Sequence, residues 1–184
     1  MKNRTVKIVT AALAAVFLMT GCADAASRGV EALREEDYAG ALSRFREAVE
    51  SGNKSEMADG YQGMGMAYYE TGDYAAALEA FRNAFDSGAE KTPQICNMAG
   101  VCAMQTGDYG TALEYIQAGL ELTDTVSAED ADGAEMIREM RYNEIVCCEQ
   151  QADWESAKQK ITEYLADYPD DENAQKEAQF LQTR

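Results

Sequence analysis

The chain has 184 residues, no histidine, only two prolines, and 33 Asp+Glu against 16 Lys+Arg. A net charge of −17 without any Lys/Arg cluster argues against nucleic acid and anionic lipid headgroups as partners. Lack of histidine removes both the usual zinc ligand and the usual general base for a serine or cysteine nucleophile.

The first element reads as an export signal. Lys2, Arg4 and Lys7 make a basic start, and Ile8 to Met19 is an apolar run of 12 residues interrupted only by Thr10. A run this short, followed by small residues, fits a signal and not a spanning helix. It closes on Leu18-Met19-Thr20-Gly21-Cys22. This ending resembles the bacterial lipoprotein signal, in which peptidase cuts before a cysteine that carries diacylglycerol. That pattern favours leucine three places before the cysteine; here the place holds Met19, with Leu18 one step back. The resemblance implies that residues 1–21 are removed and that Cys22 is the lipid attachment site. The protein would then be exported and held by lipid on the extracytoplasmic face of a cell membrane. Each buried methylene contributes about 0.8 kcal/mol, so two or more chains anchor stably. The signal holds three of the 16 basic residues and no acidic one, so 13 bases face 33 acids beyond it, a net charge of −20.

Helical hairpins follow in chain order, and 22–184 reads as one domain. Asp37-Tyr38, Asp73-Tyr74, Asp108-Tyr109 and Asp153-Trp154 return at spacings of 36, 35 and 45 residues. A near-fixed period of this size predicts stacked repeats. The second repeat is the clearest. Tyr61, Met64, Gly65 and Tyr68 recur at three and four, as do Ala77, Phe81 and Ala84, with Thr71-Gly72-Asp73 as the turn between them. Together with Tyr74 these positions resemble the tetratricopeptide repeat. The third unit keeps the register in Cys96, Ala99, Gly100, Ala103, Gly107, Tyr109, Ala112, Ile116 and Gly119. The first shows Gly29, Ala32, Tyr38, Ala41, Phe45 and Ala48; the fourth shows Trp154, Ala157, Ile161 and Pro169, with Ile145 at the glycine place.

The resemblance implies an all-α, right-handed α-solenoid of about four such hairpins (22–53, 55–88, 92–124 and 128–169) and a capping helix over 171–182. It explains Gly65 by close approach of the paired helices with Ala77 opposite, and leaves Gly63 unexplained. The ten extra residues before Asp153 predict a first helix lengthened at its front, capped by Ser127 or Asp130 and running to Gln151. Asp170 or Asp171 caps the last helix, with Ala174, Ala178 and Leu181 as its apolar stripe and Glu177 on its wet side.

Cys96, Cys102, Cys147 and Cys148 match no zinc spacing, and adjacent Cys147 and Cys148 point about 100° apart on a helix. Buried free thiols are the expectation. One cross-helix disulfide, from Cys102 to Cys147 or Cys148, is the alternative in an oxidising compartment. Asp130-Ala131-Asp132-Gly133 with Glu139 partly echoes a calcium loop, but Ala128 stands at the first ligand position, so an acidic helix start is the simpler reading. No metal or cofactor is expected.

In the tetratricopeptide family the first helix of each pair lines the inner face of the curve. Carried onto this sequence, the inward positions are Gln62, Met66 and Tyr69; Asn97, Met98, Val101, Met104 and Gln105; and Tyr142, Asn143, Val146 and Glu149. Amides suit a peptide backbone and thioethers adapt to varied side chains, so this strip is the candidate peptide-binding groove. None of these residues is basic, which disfavours a grip on a carboxylate and favours a neutral or basic segment. The expectation is a non-enzymatic scaffold or assembly factor at the cell envelope that holds a protein or peptide and that could self-associate. The alternative is an extracytoplasmic solute- or peptide-binding lipoprotein serving a transporter. A hydrolase with paired carboxylates is least supported, because nothing singles out a pair.

Overall fold

The computed structural model describes residues 24–126 and 130–184. The signal, Cys22 and Ser127 lie outside these residues. Among the described residues there are nine α-helices and no strand: α1 Ala25–Arg34, α2 Tyr38–Glu50, α3 Lys54–Glu70, α4 Tyr74–Asp86, α5 Pro93–Gln105, α6 Tyr109–Leu120, α7 Ala131–Gln150, α8 Trp154–Asp167 and α9 Glu172–Leu181. They stack as successive helical hairpins into a solenoid. A 3₁₀ turn at Thr123–Thr125 follows α6. None of the described helices is long and apolar enough to cross a membrane.

The recurring Asp-aromatic pair marks the start of each hairpin's second helix. The carboxylates of Asp37, Asp73, Asp108 and Asp153 accept from the backbone N–H of Gly40, Ala76, Thr111 and Ser156 at 2.9–3.2 Å. Each satisfies an N–H that has no partner within the helix. The residue before each aspartate is left-handed: Glu36 (φ 60°), Gly72 (78°), Gly107 (79°) and Ala152 (58°). That conformation lets each aspartate N–H reach back to the first helix, as Asp73 does to the Tyr68 carbonyl at 2.9 Å. The repeat signature is thus a C-cap joined to an N-cap.

Packing across each hairpin pairs a position on the first helix with one sixteen residues on: Gly29 with Phe45, Gly65 with Phe81, Gly100 with Ile116. A Cβ at Gly65 would stand 2.5 Å from the Phe81 ring, so Phe81, and not Ala77, is what the glycine admits. In the fourth hairpin Ile145 and Ile161 share one apolar cluster, and two medium side chains replace the glycine and the ring.

The lengthened α7 is capped by Asp130, whose carboxylate accepts from Gly133 N–H at 3.1 Å. It serves two cores. Met136, Met140 and Cys147 join the cluster that runs from Leu33 through the third hairpin, while Ile145 and Cys148 join the cluster of α8 and α9. All four described cysteines are free and buried. Asp171 caps α9. The expected wet side of α9 needs correction: Glu177 is buried, because 174, 177 and 181 fall on one helical stripe.

Candidate peptide-binding groove

The first helices α1, α3, α5 and α7 touch one another in succession, so their outward sides form one continuous face. At its start Ser27, Val30, Asp59, Gln62 and Met66 surround a hollow of about 10 Å³, on the order of a single water.

Of the inward positions, Gln105 is exposed, and Gln62, Tyr69, Asn97, Met98, Tyr142 and Val146 are half-buried. Met66, Val101, Met104, Asn143 and Glu149 lie deeper, between 1% and 7% exposed. Met66 and Met104 belong to the hydrophobic core, where they support the groove from beneath. Tyr69 meets Tyr74 edge-on at 5.9 Å between ring centres.

The amide atoms Asn97 Oδ1 on α5 and Asn143 Nδ2 on α7 are buried on this face without a hydrogen-bond partner among the described residues. One is an acceptor and the other a donor. Leaving such a group unpaired costs about 1–3 kcal/mol.

Burial holds the Tyr69 hydroxyl far above its ordinary range, with smaller pushes from Cys102 and then from Glu139. Burial also raises the Asp59 carboxyl, with help from Asp24 and Glu56, and raises that of Glu70, with help from Glu36.

The opposite side of the array is different in kind. An open cavity of about 370 Å³ lies where α6 ends against α7 and α8. Its charges answer one another. Arg141 pairs with Asp167, and buried Glu144 receives Lys160 at 3.0 Å and Gln117 at 2.9 Å.

The tetratricopeptide repeat model matches residues 27–84 and 63–133. The chain belongs to the tetratricopeptide repeat family. Among solved structures it is similar to YrrB, described as a tetratricopeptide protein with an unusual peptide-binding site. The identity is 20%, the TM-score 0.68, and the match covers 83% of this chain and 72% of that one. It is also similar to a MamA RS-1 double mutant (15% identity, TM-score 0.64, 85% and 80% covered). A third similar structure is a tetratricopeptide repeat protein from Parabacteroides merdae (15% identity, TM-score 0.57, 85% and 56% covered). At these identities the likeness shows the fold. No curated protein matches.

Three carboxylates of the tetratricopeptide array escaped the sequence reading of its inner side: Asp59, Glu70 and Glu139. Asp59 was open to detection, since 59, 62, 66 and 69 form one stripe at three- and four-residue steps. Glu139 was open in the same way, since 139, 142, 146 and 149 repeat those steps along α7.

Proposed function

We propose that this protein is a lipid-anchored tetratricopeptide scaffold or assembly factor of the cell envelope. Its inner face holds an extended peptide or a segment of a partner protein, neutral or basic in charge. The observation that carries the groove reading is the pair of buried, unpartnered amide atoms of Asn97 and Asn143. An extended backbone offers both an N–H and a C=O, which these two atoms can satisfy. YrrB supplies a precedent for peptide binding on the same fold. The role is binding and not catalysis.

The anchor rests on the Gly21-Cys22 ending. Asp24 already caps α1, with its carboxylate accepting from Ser27 N–H at 2.7 Å. An acylated Cys22 would hold the array close against the bilayer. The inner-face hollow of about 10 Å³ does not enclose a metabolite, and the cavity of about 370 Å³ beside α8 is open and lined by charges that pair with one another, so the scaffold is preferred to a solute receptor.

Growth with an alkyne-tagged fatty acid tests the anchor. The tag should appear on the protein and vanish in Cys22→Ser, which should also leave the membrane fraction; an untagged, soluble wild type would refute it. Affinity isolation from solubilised envelopes tests the groove. Met98→Trp and Val146→Trp fill the inner face at half-buried positions, and recovery of the same partners by these variants would remove the groove from the account.

A further inference from the structure

Arg141 and Glu144 break the pattern of their own array. They stand four places and one place before Ile145, where the second hairpin has Tyr61 and Met64 before Gly65 and the third has Cys96 and Ala99 before Gly100. Met64 and Ala99 pack into the hydrophobic core. Glu144 is also buried, at 4% exposed, but its carboxylate receives Lys160 of α8 and Gln117 of α6. A buried ion pair generally stabilises no more than apolar side chains of the same volume would. The exchange therefore brings no stability that the earlier hairpins lack, and a local rule broken without such a gain points to function. What the exchange accompanies is the cavity between α6, α7 and α8. Its volume of about 370 Å³ falls in the range of about 300–1,000 Å³ that small-ligand sites occupy. Glu144 lies deepest in its wall, while Arg141, Glu163 and Asp167 are about half exposed. Their pairing leaves capacity over. Among the described residues Arg141 engages Asp167 through Nη1 alone, although a guanidinium has five N–H donors, and Asp167 accepts there on one oxygen only. Lys160 reaches Glu144 at 3.0 Å but Glu163 only at 4.0 Å.

We propose that this cavity is a site for a small zwitterion of the amino-acid or dipeptide class. The carboxylate of the ligand would lie between Arg141 and Lys160, where the guanidinium fork suits it. Its ammonium would lie between Asp167 and Glu163. These contacts add to the existing pairs and strand none of them. Two cations and three carboxylates line the cavity, which asks for both signs in one molecule. A simple anion would meet the acids uncompensated, and a simple cation would meet Arg141 and Lys160. Leu120 offers the side chain of the ligand an apolar contact. The seat is open, so it holds an effector loosely and does not make the protein a solute receptor. It lies on the side opposite the inner face and does not rest on the groove reading.

The test uses the full chain in detergent, labelled with ¹⁵N, and titrates it with L-leucine and L-alanyl-L-alanine. Each is offered in three forms: the zwitterion, the methyl ester, which is a cation, and the N-acetyl derivative, which is an anion. Magnetic resonance should show amide shifts around Arg141 and Lys160, with a zwitterion binding about tenfold or more tighter than its ester or its N-acetyl form. Arg141→Gln and Asp167→Asn should each weaken the zwitterion about tenfold. Arg82→Gln, which breaks the ion pair to Asp108 in another hairpin, should leave its affinity unchanged. Glu144→Met with Lys160→Met restores apolar residues and should abolish binding while the melting temperature holds or rises. A lowered melting temperature with binding unchanged would assign the charges to holding the joint and would overturn the proposal. Equal affinity for the three forms would overturn the zwitterion, and shifts from none of the six compounds would overturn the site.

Discussion

The ring of Phe45 occupies the space a side chain would take at Gly63, with Cε1 2.2 Å from where a Cβ would stand. The same ring lies 2.5 Å from a Cβ built at Gly29. Phe45 of α2 is therefore gripped by glycines of the helices before and after it. Gly63→Ala sets two effects in opposition. Alanine improves helix propensity by about 1 kcal/mol. Overpacking against a ring that is 1% exposed costs about 1–3 kcal/mol. The second should win, and the melting temperature should fall by a few degrees. Circular dichroism melts check this, with Phe45→Leu in the same chain expected to restore part of the loss. A raised melting temperature in Gly63→Ala would show that the ring moves aside freely.

Glu36 and Ala152 hold the left-handed turn conformation that Gly72 and Gly107 hold in the middle hairpins. A side chain in that region costs roughly 1–2 kcal/mol, offset in part by the extra freedom of glycine in the unfolded chain. Glu36→Gly and Ala152→Gly should each stabilise by about 0.5–1 kcal/mol. Glu36→Gly should gain more, because Glu36 also crowds Glu70. Gly72→Ala should lose a similar amount, since no atom within 4 Å obstructs a methyl there and strain acts alone. Urea midpoints measure all three, and a destabilised Ala152→Gly would contradict the assignment.

Asp171 ties the capping helix to the fourth hairpin. It accepts from Arg138 at 2.8 Å and from Tyr164 at 2.9 Å, and the Arg138 guanidinium lies 5.5 Å from the Tyr168 ring centre. Burial opposes its ionisation, but Arg138, the Ala174 N–H, Tyr164 and the Asn173 N–H together lower it from 3.8 to about 2. A folded value below the unfolded one stabilises above the unfolded value. That contribution, on the order of 1–2 kcal/mol, is lost as pH falls from about 4 towards 2. Asp171→Asn should lower stability at pH 7 and flatten this part of the acid profile. An unchanged profile would assign the acid loss to other carboxylates.

Burial pushes the Cys102 and Cys147 thiols up to about 12, and raises those of Cys96 and Cys148. Thiolate is the reactive form, so these four should resist a thiol reagent in the folded protein and react together on unfolding. Timed labelling with and without denaturant, read by intact mass, distinguishes them. Rapid labelling of any of the four in native conditions, or a mass short by a disulfide, would contradict the buried free state.

Much of the fold was legible because each hairpin writes the same joint. Asp73 and Tyr74 mark the joint and Gly72 its left-handed turn, and Gly65 marked a close approach of the paired helices, although the side chain it admits is Phe81 and not the expected Ala77. What sequence spacing could not report is what lies across the stack. Gly63 made no sense within its own hairpin, because the Phe45 ring belongs to the one before. Glu177 was assigned to water by its chemistry, although 174, 177 and 181 share a stripe. At the groove, the inward positions carried over from the family resemblance include Asn97 on α5 and Asn143 on α7. The resemblance could not say that Met66 and Met104 sink into the core.

The central claim is that the face formed by α3, α5 and α7 is where a partner is held. A photo-crosslinking amino acid placed at Met98 or Val146, and at Glu79 or Glu114 for comparison, tests it in living cells under irradiation. Protein adducts should form from the inner positions and be absent from the outer ones. Adducts from the outer positions with none from the inner would contradict it.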